Sequence, residues 1–378
     1  MNNDTLAKIK APRQPRITQW LLLNASAKKQ MPPLPRTKRI EWIDIAKALG
    51  ILLVSFGHLR NGDGQSVWLP ALDSLIDGIY LFHMPLFFLL GGLTFSTRGG
   101  FKAFLIRKIR TLLIPYYVFS LYFLAKPVAI LLIPNLRASF QTSHDYGVAH
   151  QFYDVLIAGN GLWFLMAFFV AELVTYGITK YAINSPLKIV IGTILIVSTF
   201  AWTSFGLPDI MPFQIMKGIQ ISGFMLLGIV TKNTWLYMTK RTAVITMVPA
   251  ILIVAICQIV IRQKLLIDDP LFHTFILIFA AFTGAVGFIC FAIAIHQCQW
   301  LSQIGQDSIV YYALNALTLN VAKILVFRIL GIDATHLPYI SQLIIGTLTT
   351  ALAIALLTAE NIIIQRWLWW TIGKSHQK

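Results

Sequence analysis

The chain has 378 residues, 57% of them hydrophobic and only 12% charged, with a formal net charge of +16 and a mean hydropathy of +0.70. That composition excludes an ordinary soluble domain and indicates a polytopic membrane protein. The basic residues sit mainly between apolar stretches, which points to anionic lipid and positive-inside placement rather than to nucleic acid.

Residues 1–39 are basic and polar. Their one apolar cluster, at 20–23, is too short for the core of a cleaved signal peptide and is followed by Pro32-Pro33-Leu34-Pro35. They are expected to form a cytoplasmic tail, 40–370 a membrane domain and 371–378 a second short tail. Ten apolar stretches can each span a hydrocarbon core of ~30 Å. They run near 42–60, 74–97, 111–134, 162–181, 187–204, 214–231, 242–262, 272–296, 308–330 and 339–365. An even number puts both termini on one side. Lys and Arg concentrate in 1–39, 98–110, 180–188, 232–241 and 366–378, opposite only Arg60, Arg137, Arg262 and Lys264. The fold expected is therefore an all-α polytopic helix bundle with about ten transmembrane helices and both termini cytoplasmic.

The first stretch, EWIDIAKALGILLVSFGH at 41–58, carries Asp44, Lys47 and His58. Ionisable groups inside a span are costly and mark function by default. At about 100° per residue Lys47 and His58 fall ~20° apart, with Asp44 within about 60° of both. The lysine and histidine are then separated by ~16 Å along one stripe. Such a stripe suits a long ligand, charged at one end and reactive at the other. Asp44 is placed to hold Lys47, since buried charges need partners.

The second stretch carries Asp77 and Phe82-His83-Met84-Pro85. The proline predicts a kinked, interior helix. His83 reads either as a proton-transfer group or as a histidine bonded to a neighbouring helix. In the next loop Arg107 and Arg110, three apart, share a helix face and suit a phosphate; composition alone favours ordinary positive-inside anchoring. The longest outer loop, 135–160, holds His144, Asp145, His150 and Asp154 and either covers a substrate or merely connects. Trp163, after Gly159-Asn160-Gly161, has the character of an interfacial anchor. Glu172 lies deeper and needs a partner. Tyr312 and Asn315 either line an interior cavity or cap and pack the ninth span. Lys126, Lys217, Lys323 and Arg328, near span ends, are expected to snorkel. Cys257, Cys290 and Cys298 show no metal or disulfide spacing, and no metal site is expected.

Together these motifs resemble the acyltransferase 3 family, and within it the bacterial sugar and polysaccharide O-acetyltransferases of the fucose O-acetylase type. The resemblance covers roughly 38–370. It is carried by Arg39-Ile40-Glu41-Trp42-Ile43-Asp44-Ile45-Ala46-Lys47, His58, Phe82-His83-Met84-Pro85-Leu86-Phe87-Phe88, Arg107-Lys108-Ile109-Arg110 with Pro115, Gly161-Leu162-Trp163-Phe164-Leu165, and Ser308-x3-Tyr312. The family places a basic residue, usually arginine, eleven positions before an essential histidine; Lys47 and His58 match, in the manner of the Asp-x-x-Lys subfamilies. Many members have Tyr-x-x-His where this chain has Tyr312-Ala313-Leu314-Asn315, so no role for that later histidine carries over.

The resemblance implies an enzyme of the bacterial inner membrane that moves acetyl from cytoplasmic acetyl-CoA to a hydroxyl of an exported or lipid-linked saccharide. It implies Arg107, Arg110 and Lys47 as CoA-binding groups, His58 as general base or transient acyl acceptor, and Asp44 and His83 in support. Glu172, Trp163, Tyr312 and Asn315 fall to the substrate cavity. Acetyl-CoA, a saccharide or lipid-linked glycan, the bilayer and polysaccharide-synthesis machinery are the implied partners. Two other readings compete: a transporter or flippase of glycan or acyl material, and a non-catalytic subunit of a polysaccharide-synthesis complex.

Overall fold

A computed structural model describes residues 39–60, 66–125, 128, 148–182, 184–208, 212–263 and 269–374. The chain divides into Met1–Ile40 and Glu41–Lys378. The expected tail lies outside the described residues apart from its last one, as do His144, Asp145 and Lys126. All elements named below belong to Glu41–Lys378, and among the described residues they are helical throughout.

Helix α1 is Glu41–Gly57, α2 is Asp73–Tyr80 and α3 is His83–Thr94. Then come α4 (Gly100–Lys108), a π-helical turn Ile109–Leu113, and α5 (Ile114–Ser120). After the 148–158 segment, α7 (Trp163–Tyr181) follows α6 (Val148–Tyr153). The next are α8 (Ser185–Ser204), α9 (Ile215–Leu236), α10 (Lys240–Arg262) and α11 (Pro270–Ile295). Short α12 (Gln299–Gln306) leads into α13 (Ser308–Lys323), which a π turn extends over Ile324–Ile329, and α14 is Tyr339–Trp367.

Eight helical stretches among the described residues are long and apolar enough to cross a membrane: Pro70–Thr94, Val148–Tyr181, Ser185–Ser204, Pro212–Leu236, Lys240–Arg262, Pro270–Ile295, Ser308–Ile329 and Tyr339–Trp367. They correspond to eight of the ten expected stretches. Of the other two, α1 has 17 residues, about 26 Å of helix, and 111–134 leaves the described residues beyond Ala125, save Val128.

Position within the bundle follows from the side chains. Helices α8 and α10 turn Val190, Ile194, Ile245, Leu252 and Ile256 outward, as helices facing lipid do. Their first turns are closed by side chains: Asn184 accepts from the Leu187 N–H at 3.0 Å and Thr239 from the Thr242 N–H at 3.2 Å. Those caps satisfy donors that the helices themselves leave unpaired. Helix α3, by contrast, is buried along most of its length. It lies against α9, where a Cβ on Gly92 or Gly228 would strike the opposing backbone, the close approach that small residues permit in membrane bundles.

The expected kink at Pro85 takes a different form. The chain breaks at Leu81–Phe82, and α3 starts afresh at His83. Pro85 then sits in a first turn, where its missing N–H leaves no hydrogen bond unmade.

Helix α12 packs on the first half of α1. The Cys298 N–H donates to Glu41 Oε1 at 3.2 Å, and Gly305 lies so close that a Cβ would overlap the Asp44 carbonyl. Gly305→Ala is therefore expected to destabilise the protein by about 1–3 kcal/mol through overpacking. Thermal unfolding in detergent measures it; an unchanged midpoint would show that the contact relaxes freely.

Candidate active site

Helix α1 organises the site. Lys47 Nζ lies 3.6 Å from Asp44 Oδ1, and the carboxylate is buried. Asp44 thus partners Lys47 at one end of the stripe; the structure does not bring it together with His58 and His83 at the other. His58 lies just past Gly57, yet its N–H still donates to the Val54 carbonyl at 3.0 Å, so the ring keeps helical register. The imidazole is accessible while protein surrounds it on most sides, as in a recess.

Next to His58, α1, α2 and α3 are tied together. Tyr80 Oη donates to the Gly57 carbonyl at 3.1 Å, and the Tyr80 ring meets His83 edge-on at 5.0 Å. His83 is buried, with Nδ1 3.0 Å from the Ile79 carbonyl. A carbonyl only accepts, so Nδ1 carries the proton and Nε2 is left as the acceptor. His58 and His83 are near enough to interact electrostatically.

Arg60 ties the end of α1 to α2. Its guanidinium donates to Asp77 Oδ1 at 2.7 Å and to the Asp73 carbonyl at 2.7 Å, and it lies 5.9 Å from the Tyr80 ring centre. Sequence reading counted Arg60 only as a loop charge. The i,i+4 pair Asp73 and Asp77 was the available signal. Lys323 corrects a second expectation: it is buried at 8% exposed instead of snorkelling, and its charge acts on His58.

Midway along the stripe lies a cavity of about 40 Å³, lined by Ile51, Phe87, Phe164, Ser308 and Tyr312 among others. That is room for a water molecule or so. Phe164 is its aromatic centre, with ring centroids 5.7 Å from Phe87, 5.2 Å from Phe168 and 5.2 Å from Tyr312. Tyr312 Oη accepts from the Phe164 N–H at 3.3 Å. Trp163 packs beside Phe164, with the Lys217 ammonium 4.8 Å over its ring, and is not among the residues that line the cavity. Asn315 lies outside the cavity, its amide Nδ2 donating to Ser55 Oγ and its Oδ1 buried without a partner. The order along α1 is thus Lys47, the Ile51 cavity, Ser55 with Asn315, then His58.

Arg107 and Arg110 are both exposed. Arg107 Nη1 donates to the Arg98 carbonyl at 3.1 Å, with the guanidinium 6.0 Å from the Phe104 ring centre. Arg110 lies in the π turn, whose wider winding turns less per residue and so separates it from the Arg107 face more than α-helical spacing assumes. Between them Lys108 Nζ pairs with Glu172 Oε1 at 2.5 Å. Glu172, expected in the substrate cavity, is instead the buried partner of Lys108, and it is absent from the cavity lining. A chain of contacts links this end to the cavity. Gly373 packs on the Arg110 carbonyl, Lys374 Nζ reaches Asp307 Oδ1 at 2.8 Å, and the next residue, Ser308, lines the cavity.

A family model described as an acyltransferase domain, that of acyltransferase 3, matches residues 40–359. No curated protein and no solved structure matches the chain. The match takes in α1, the arginine pair, the cavity and His58, and most of the chain with them, so this protein belongs to the acyltransferase 3 family and is a multi-pass membrane acyltransferase.

Proposed function

We propose that the protein is an O-acetyltransferase of the bacterial inner membrane, moving acetyl from cytoplasmic acetyl-CoA to a hydroxyl of an exported or lipid-linked saccharide of exopolysaccharide or O-antigen type. The observation that carries this reading is the polarity of α1. A cationic end and a histidine recess share one stripe, separated by the Ile51 cavity. Arg107, Arg110 and Lys47 hold the CoA phosphates, guanidinium groups being suited to bidentate phosphate contacts.

The pantetheine arm enters between Phe164 and Tyr312. A volume of about 40 Å³ does not hold it, so these rings swing aside when the donor binds. His58 takes the proton of the acceptor hydroxyl, and the oxygen attacks the thioester carbonyl. The C–O bond forms, the C–S bond breaks, and the CoA thiolate departs to be protonated. His83, with its proton fixed on Nδ1, keeps Nε2 as an acceptor that can join the same proton traffic.

The test is full-length protein in nanodiscs with acetyl-labelled CoA and polysaccharide from a deletion strain. Acceptor-dependent release of CoA thiol supports the reading. Arg107→Gln or Arg110→Gln is expected to raise KM for acetyl-CoA about tenfold or more, the loss of one charged hydrogen bond, with kcat little changed. An unaltered KM removes the arginines from the CoA site.

A further inference from the structure

Lys323 closes α13 immediately before the π turn Ile324–Ile329. Its side chain is buried beside Ala322, Val326 and Phe327 of an apolar cluster. The ammonium has no hydrogen bond and no ion pair among the described residues. Among the described residues, the acids of α2 and α14, the helices that share this cluster, are engaged elsewhere. Asp73 and Asp77 belong to Arg60, and Glu360 of α14 takes the Thr318 hydroxyl on both oxygens, at 2.9 and 2.8 Å. The ammonium acts on His58, and the two lie on helices joined by the Asn315–Ser55 hydrogen bond.

A buried cation without a counter-charge is costly. One kept beside a reactive imidazole, at a π turn of the kind frequent at functional sites, calls for an anion from outside the chain. We propose that Lys323 is the anion-binding residue of the acceptor site. It takes a phosphate or carboxylate group of an acidic saccharide acceptor and thereby holds that acceptor beside His58. The proposal relies on the acetyltransferase reading only to name the owner of the anion. The anion site itself stands on the lysine and its surroundings.

The test uses the full chain in phosphatidylcholine nanodiscs, in an Arg107→Gln/Arg110→Gln background that removes two of the competing cations at the other end. Inorganic pyrophosphate, D-glucuronate and neutral glucose are titrated against the thermal midpoint. In parallel, labelling of Lys323 by an amine reagent is read by mass spectrometry.

One or both anions are expected to raise the midpoint and protect Lys323 while glucose does neither. Pyrophosphate alone identifies a lipid-carrier phosphate, and glucuronate alone an acidic sugar. Lys323→Gln is expected to weaken this binding by about 30-fold or more, and Lys323→Arg to retain it. Absence of protection in the chain that keeps Lys323 overturns the proposal even if the Gln variant fails to fold. So does equal binding by Lys323→Gln. A protein that binds anions but transfers no acetyl group refutes only the acetyltransferase reading.

Discussion

His58→Ala is expected to lower acetyl transfer by about 10²–10⁴-fold, the usual range for removing a positioned general base. At 1.36 kcal/mol per decade that is roughly 3–5 kcal/mol of transition-state stabilisation. Donor binding should survive, because Lys47, the CoA-binding group on α1, lies ~16 Å away along the helix and Arg107 and Arg110 belong to other elements. The measurement pairs a turnover assay with CoA titration by calorimetry on the same nanodisc preparation. A variant that kept wild-type turnover would remove His58 from the chemistry. One that lost CoA binding as well would show that the two ends of the stripe are not separable. The fold predicts little structural damage, since the ring faces a recess and makes no described hydrogen bond.

Lys108→Ala is expected to cause the largest loss of stability, about 3–5 kcal/mol, by stranding the buried Glu172 carboxylate. Against total stabilities of roughly 5–15 kcal/mol that is a severe change. Replacing both partners, as in Lys108→Met/Glu172→Met, should recover most of it, because the costly state is one buried charge without the other. Detergent unfolding of the two single variants and the double variant completes the cycle. A loss below about 1 kcal/mol for Lys108→Ala would place the pair among exposed salt bridges of little weight.

Much of this was legible in the sequence where the information is local. Apolar stretches announce membrane helices by length alone, and a period of 3.6 residues puts Lys47 and His58 on one stripe without knowledge of any neighbour. What depends on distant partners was not legible. Glu172 advertised its need for a partner, but Lys108, 64 residues earlier, sat inconspicuously between two arginines. Lys323 stands near a span end, where snorkelling is the usual outcome, and only the packing of α13 shows it buried. The π turn at Ile109–Leu113 altered the assumed spacing of Arg107 and Arg110, since helix winding of this kind answers to packing rather than to composition. Pro85 was read correctly as a disruption, yet its place in the first turn of α3 depended on where the chain broke.

The stripe on α1 has an electrical consequence. Lys47 and His58 stand ~16 Å apart, little more than half of the ~30 Å hydrocarbon core. On the proposed route the phosphates of the donor stay at the cationic end, and only the neutral thioester arm passes the aromatic septum. Moving one elementary charge through the full field involves about 2.3 kcal/mol per 100 mV; a neutral arm does no such work. On that proposed route the acyl group passes toward the far side of an energised membrane without moving charge through its field.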